Sequence, residues 1–246
     1  MLNYLTFRNP KINEIYSERS EIYKKCQIIE ELFLEYISVE PHCFLHASSL
    51  SNTISKYNLN GVNAISIGID FLKELILLKN NQITIDSFDI DDKAVLDAKN
   101  LAEKYKISNS LKHFKENVLC KGFQIKDNYE LCILSQMDYI FTDEEIRQIV
   151  KLLKSANIKY ILVITPSIFS FNLKPFKNLP HKIFDYLFSF LSSIKTKFTI
   201  KDESYITFRR RESYFLNLFK KEYACLYKYD YSYPSGRAYT FLFKSR

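Results

Sequence analysis

Residues 64–75 read AISIGIDFLKEL, and residues 83–102 read ITIDSFDIDDKAVLDAKNLA. The first segment is an apolar run, a turn at Gly68, and an apolar helical pattern from Phe71 onward. The second opens on an apolar strand that ends at Asp89. A helix follows with Ala94, Val95, Ala98, Leu101 and Ala102 on one face, the spacing of an amphipathic helix. Apolar runs without strict alternation predict strands buried on both faces. Strand, helix, strand, helix in that order predicts a parallel sheet covered by helices. The two segments together make one half of a nucleotide-type α/β unit.

Toward the C-terminus, further strands are expected over 111–114, 131–134 and 160–164. Thr142-Asp143-Glu144-Glu145 has the form of a capping box, and Ile146, Ile149, Val150 and Leu153 mark the buried face of the helix it starts. Residues 166–180, with Pro166, Pro175 and Pro180, read as a loop after a strand's carboxyl end, and 181–194 as an apolar helix. A helix over 208–219 is expected to begin with Arg209-Arg210-Arg211. Strands over 223–229 and 238–243, with Pro234-Ser235-Gly236 between them, predict a closing antiparallel hairpin.

Toward the N-terminus, residues 1–60 read mainly as helix, with Ile15, Ile22, Ile29, Phe33 and Ile37 near helical spacing and Pro41 as a stop. His46, Ser48 and Ser49 then read as helix caps or ligand contacts, capping being the simpler reading. The expected division is a helical extension or cap over 1–60 and an α/β domain over 61–246.

The chain has 246 residues, 35 Lys and Arg against 28 Asp and Glu, and a net charge of +7, with 47% hydrophobic residues. Such a chain buries a full core. Its charge suits an anionic substrate, nucleic acid or a membrane surface, and equally a lysine-rich solvated surface. The basic residues are dispersed rather than striped, which argues against nucleic acid as partner. Cys26, Cys43, Cys120, Cys132 and Cys225 form no CxxC pair, so reduced thiols and a cytoplasmic setting are expected. His42, His46, His113 and His181 have no metal-ligand spacing, and no metal site is expected. The first residues lack the apolar core of a secretory signal. The most apolar run, 160–171, is interrupted by Thr165-Pro166-Ser167 and too short to span a bilayer.

The Gly68 turn after the first strand, the acid ending the second strand about 20 residues on, and the closing hairpin resemble the class I S-adenosylmethionine-dependent methyltransferases. The resemblance extends in layout from residue 63 onward, with its motifs concentrated between 64 and 135. It implies a Rossmann-like α/β fold: an open sheet of about seven strands, mostly parallel, with an antiparallel C-terminal hairpin. The family's GxGxG turn, aligned on Gly68, falls on Gly68-Ile69-Asp70-Phe71-Leu72, which keeps only the first glycine.

The resemblance implies S-adenosyl-L-methionine as cofactor. Gly68, Ile69 and Asp70 would lie against its methionine end, although Asp70 also reads as an N-cap. Asp89, followed by Ile90, would grip the ribose hydroxyls; Asp91 and Asp92 compete for that role, and each also reads as a cap. Asn117, or Glu116, would meet the adenine with Val118 beside it. The loop Ser135-Gln136-Met137-Asp138-Tyr139 would line cofactor and acceptor. No NPPY-type tetrad is present, which argues against the amino-methyltransferases of DNA and protein glutamine.

Methyl transfer from a sulfonium needs alignment and, for a hydroxyl acceptor, a base. Asp138, Tyr139 and His181 are the candidates. Arg209, Arg210 and Arg211, with Arg237, would suit a phosphate or carboxylate; a solvated helix start is the plainer alternative. The expected activity is methyl transfer to a small-molecule or glycan-type anionic acceptor. Two alternatives stand beside it. One is aminocarboxypropyl transfer of the nicotianamine-synthase type, to which FDIDDKAVLDAKNLAEKYKI (88–107) is similar. The other is a non-catalytic binding protein on the same fold.

Overall fold

The structure, a computed structural model, describes residues 4–9, 22–39, 41–125, 128–135, 140–166, 205–210, 212–233 and 236–246. In chain order the elements are β1 (Tyr4–Asn9), α1 (Ile29–Val39), α2 (Pro41–Lys56), β2 (Asn63–Ile67), α3 (Phe71–Asn81), β3 (Thr84–Asp89), α4 (Asp92–Lys104) and β4 (Leu111–Lys115). There follow β5 (Leu131–Ser135), α5 (Asp143–Ser155), β6 (Tyr160–Pro166), β7 (Tyr205–Arg210), α6 (Glu212–Phe219), β8 (Tyr223–Tyr233) and β9 (Gly236–Ser245).

Seven strands form one sheet in the order β4-β3-β2-β5-β6-β9-β8. The β4-β3, β3-β2, β2-β5 and β5-β6 pairs are parallel. The hairpin β8-β9 joins antiparallel to β6, with Leu162 opposite Leu242. The Rossmann-like architecture expected from the alternating strands and helices is the one observed.

Successive side chains of a strand point to opposite faces, and here each face meets its own core. Ala64, Ile85, Ile133, Leu162 and Leu242 pack beneath α2, α3 and α4 through Leu50, Ile54, Leu72, Leu75, Val95 and Ala98. Ile65, Ile67, Cys132, Leu134, Ile161 and Val163 pack beneath α5 and α6 through Ile146, Ile149, Leu153, Phe215 and Phe219. The helix termini follow local chemistry. Thr142 and Glu145 form the capping box, with the Thr142 N–H donating to Glu145 Oε2 at 2.7 Å. Asp91 caps α4, accepting the Ala94 N–H at 3.0 Å.

Two expectations are corrected. Residues 4–9 form a strand, not helix: β1 pairs antiparallel with β7 in a separate two-stranded sheet, Tyr4 opposite Arg210. A pairing between residues so far apart leaves no local trace in the sequence. Pro41 does stop the preceding run, since α1 ends at Val39, and it also opens α2, because a first-turn proline gives up an N–H that has no helical partner anyway. The arginine cluster does not start a helix: β7 runs through Arg210 and α6 begins at Glu212. The helix expected over 181–194 lies outside the described residues. No described helix is long and apolar enough to cross a membrane.

Candidate active site

Strand order reverses between β2 and β5, and open α/β sheets bind ligands at the carboxyl ends on either side of such a point. Here β2 ends at Gly68. Its φ is +86°, a left-handed conformation open to glycine and strained for residues with a Cβ. Its N–H donates to Phe88 O at 2.8 Å, and its carbonyl accepts the Ser66 hydroxyl at 3.1 Å. The turn is thereby stitched to the end of β3.

Asp89, the last residue of β3, closes the same stitch from the other side. Oδ2 accepts the Ile69 N–H at 3.0 Å and Oδ1 the Asp91 N–H at 2.9 Å. The residue keeps 9% of its surface exposed. Burial pushes its carboxyl above the usual carboxylate range, against the pull of the Asp91 and Ile69 amides. The Ile90 amide acts on the same carboxylate, whose two oxygens together still have acceptor capacity for a hydroxyl donor. Ile90 beside it is 69% exposed, a large apolar side chain left facing solvent at the mouth of the site.

Asp70 caps α3, accepting the Lys73 N–H at 3.4 Å and pairing with Lys73 Nζ at 2.8 Å. Of its two sequence readings, the cap is the one the geometry displays. After β4, Asn117 Oδ1 accepts the Leu119 N–H at 2.9 Å. Val118 is buried and packs in a cluster with Phe88 and Phe123. Phe88 stacks on Phe114 at 5.2 Å and meets Phe123 edge-on at 5.5 Å. Ser135 ends β5. Its hydroxyl oxygen is buried and has no hydrogen-bond partner among the described residues. Such an atom forgoes the hydration it would have in water.

Gly68, Ile69, Asp70 and Asp89 are thus brought together, Asn117 and Val118 follow the adjacent β4, and Ser135 ends β5 across the switch point. Asp138, Tyr139 and His181 lie outside the described residues, as does Arg211, and of Arg209 the structure describes only the backbone pairing with Leu5. Arg210 is 2% exposed. Its Nε donates to Asp143 Oδ1 at 2.8 Å and its Nη2 to Phe141 O at 2.6 Å, while the Tyr214 hydroxyl bonds the other Asp143 oxygen. That guanidinium fastens β7 to the start of α5. The cap reading of His46 and Ser49 is also corrected. His46 Nδ1 lies 2.5 Å from the Tyr231 hydroxyl and Ser49 Oγ 2.6 Å from Thr240 Oγ1, joining α2 to the hairpin.

Sequence reading missed a buried cluster of Glu74, Ser87 and His113 under the Gly68 turn. The signal for it is Lys73-Glu74 inside an otherwise apolar helix, since charges are rarely buried without partners.

No family model matches the sequence, and no curated protein matches it. Among solved structures, magnesium protoporphyrin IX methyltransferase from Synechocystis PCC 6803, with bound S-adenosylhomocysteine, is 14% identical with a TM-score of 0.61, over 95% of each chain. A SAM-dependent methyltransferase from Methanosarcina mazei is 15% identical with a TM-score of 0.57, over 76% of this chain and 93% of that one. The N-methyltransferase NodS from Bradyrhizobium japonicum WM9, in complex with S-adenosylhomocysteine, is 8% identical with a TM-score of 0.57, over 94% and 97%. The fold is that of the class I S-adenosylmethionine-dependent methyltransferases.

Proposed function

We propose that the chain is an S-adenosylmethionine-dependent methyltransferase acting on a small-molecule or glycan-type anionic acceptor. The observation that carries this reading is Asp89. A nearly buried carboxylate at the end of β3, tied to the Gly68 turn, keeps acceptor capacity for a ribose hydroxyl. Ser135 Oγ, buried without a described partner, and the exposed apolar Ile90 fit the same ligand.

S-adenosylmethionine, when bound, supplies an electrophilic methyl on a sulfonium. In this reading Asp89 accepts from the ribose hydroxyls, Ile90 and Val118 offer apolar walls to the adenine, and Asn117 presents its amide to the adenine edge. Gly68 lets the backbone approach the methionine end. Asp138, Tyr139 or His181 takes the acceptor's proton where the acceptor is a hydroxyl. Arg209 and Arg211 hold an anionic group on it, in keeping with the net charge of +7. The scattered cysteines suit a cytoplasmic setting.

Calorimetry with S-adenosylhomocysteine tests the reading. Binding to the wild type, weakened at least about tenfold in Asp89→Ala by loss of two charge-assisted hydrogen bonds, is the expected result; no binding to the wild type defeats it. The similarity of residues 88–107 to nicotianamine-type synthases supports a second reading, aminocarboxypropyl transfer. Methylthioadenosine rather than S-adenosylhomocysteine among the products would select it.

A further inference from the structure

Below the Gly68 turn lies a buried polar chain that the reaction itself does not require. Glu74, one turn into α3, is 3% exposed. Its Oε2 lies 2.9 Å from His113 Nε2 on β4, and its Oε1 accepts the Ser87 hydroxyl from β3 at 2.8 Å. Ser87 and His113 are register partners on adjacent strands, so they rise from the same face of the sheet to meet Glu74. The same Oε1 also accepts the Asp70 backbone N–H at 3.3 Å. His113 Nδ1 is buried with no partner among the described residues. A carboxylate only accepts, so His113 Nε2 is the donor of this pair. The Glu74 carboxylate then takes three donors and lies near the positive end of α3.

Two consecutive amides of the turn therefore end on two buried carboxylates: Ile69 N–H on Asp89 and Asp70 N–H on Glu74. In a glycine-rich turn the bare backbone can settle against its ligand. Here Ile69 and Asp70 carry side chains, and the path of the turn is set from beneath.

We propose that Glu74 is a positioning residue for the cofactor turn: gripped from the sheet by Ser87 and His113, it fixes the Asp70 amide and so aims the Ile69 N–H at Asp89. Asp89 is held in turn with its remaining acceptor capacity toward the ribose site. The consequence for binding rests on the methyltransferase reading above; the consequence for the turn does not.

The test compares Glu74→Gln and Ser87→Ala with Asn81→Ala. Asn81 lies at the far end of α3, where its amide bonds Ser51 O, Ser55 Oγ and Asn60 Oδ1. Residue-resolved amide exchange of the ligand-free protein is read at Ile69 and Asp70, and S-adenosylhomocysteine affinity by calorimetry. Glu74→Gln is expected to speed exchange at both amides about tenfold or more and to weaken binding by a similar factor. Ser87→Ala acts in the same direction but less, and it carries the decision if Glu74→Gln does not fold. Asn81→Ala lowers the melting temperature and changes neither readout. Unchanged exchange in the folded Glu74 and Ser87 variants overturns the proposal. So does equal loosening by Asn81→Ala, and so does faster exchange with undiminished binding. If the wild type binds no S-adenosylhomocysteine while Glu74→Gln still frees the turn, the positioning role stands and the cofactor reading falls.

Discussion

Asp89 Oδ2 accepts the Ile69 N–H at 3.0 Å, so the residue that ends β3 and the residue that follows Gly68 act as one unit. The side chain that would grip a ribose is also the strut that holds the neighbouring turn. Asp89→Asn separates the two roles. The amide oxygen still accepts one backbone N–H, but the second donor now faces an NH2 group. S-adenosylhomocysteine affinity is expected to fall about tenfold or more, with a smaller loss than for Asp89→Ala. Calorimetry on both variants checks the order.

Burial raises the Asp89 carboxyl above its ordinary value, and the sign of the pH effect follows. The folded state holds this proton more tightly than the unfolded one, so stability contributed here is present below the unfolded value and lost as pH rises through the folded value. Relative to Asp89→Asn, the wild type should lose ground across that window in denaturant titrations. Ribose binding needs the charged form. Affinity should therefore decline as pH falls, beginning at a higher pH than an ordinary aspartate would give.

Gly68 adopts φ +86°. Gly68→Ala places a Cβ in the left-handed region at a cost of about 1 kcal/mol, which for a domain of this size lowers Tm by roughly 2–4 °C. Thermal unfolding reads the strain. Cofactor affinity should drop as well, because the strained turn carries the Ile69 amide with it.

Arg210, with Asp143, Phe141 and Tyr214 around it, is a structural bolt. Arg210→Ala strands the Asp143 carboxylate and should destabilise by about 3 kcal/mol. Arg210→Lys keeps the charge and loses the fork, so it should restore only part of that. Urea titration separates the three proteins, and an unchanged midpoint in Arg210→Ala would remove the bolt from this account.

Ser135→Ala deletes a buried hydroxyl that has no described partner. Stability should hold or rise by up to about 1 kcal/mol, while S-adenosylhomocysteine affinity or turnover falls. A loss of stability instead would mean that the hydroxyl already serves the fold.

The parts of the molecule legible in the sequence were those encoded locally. Thr142 and Glu145 announce a helix start by type and spacing, and the apolar run of β2 followed by Gly68 and Asp89 announces a crossover unit. What escaped were partnerships between distant residues. Arg210 meets Asp143 across 67 positions and Glu74 meets His113 across 39, separations at which residue type says nothing about proximity. Tyr4–Asn9 failed for the same reason: six residues that are a strand only because Tyr205–Arg210 lies beside them. The Phe88, Phe114 and Phe123 cluster was hidden by a composition rich in phenylalanine, where no single ring stands out.

The β1-β7 ribbon also sets an order of events during synthesis. Tyr4 leaves the ribosome 210 − 4 = 206 residues ahead of its partner Arg210. At ordinary elongation rates that is a wait of roughly 10–40 s, long against the microseconds in which a hairpin closes. Throughout it β1 waits for its β7 partner, while β2 to β6 have their sheet neighbours within reach. The ribbon therefore closes only after β2 to β6 have been made and before β8 and β9 complete the sheet, and β1 is the strand that must be kept from pairing wrongly in the interval.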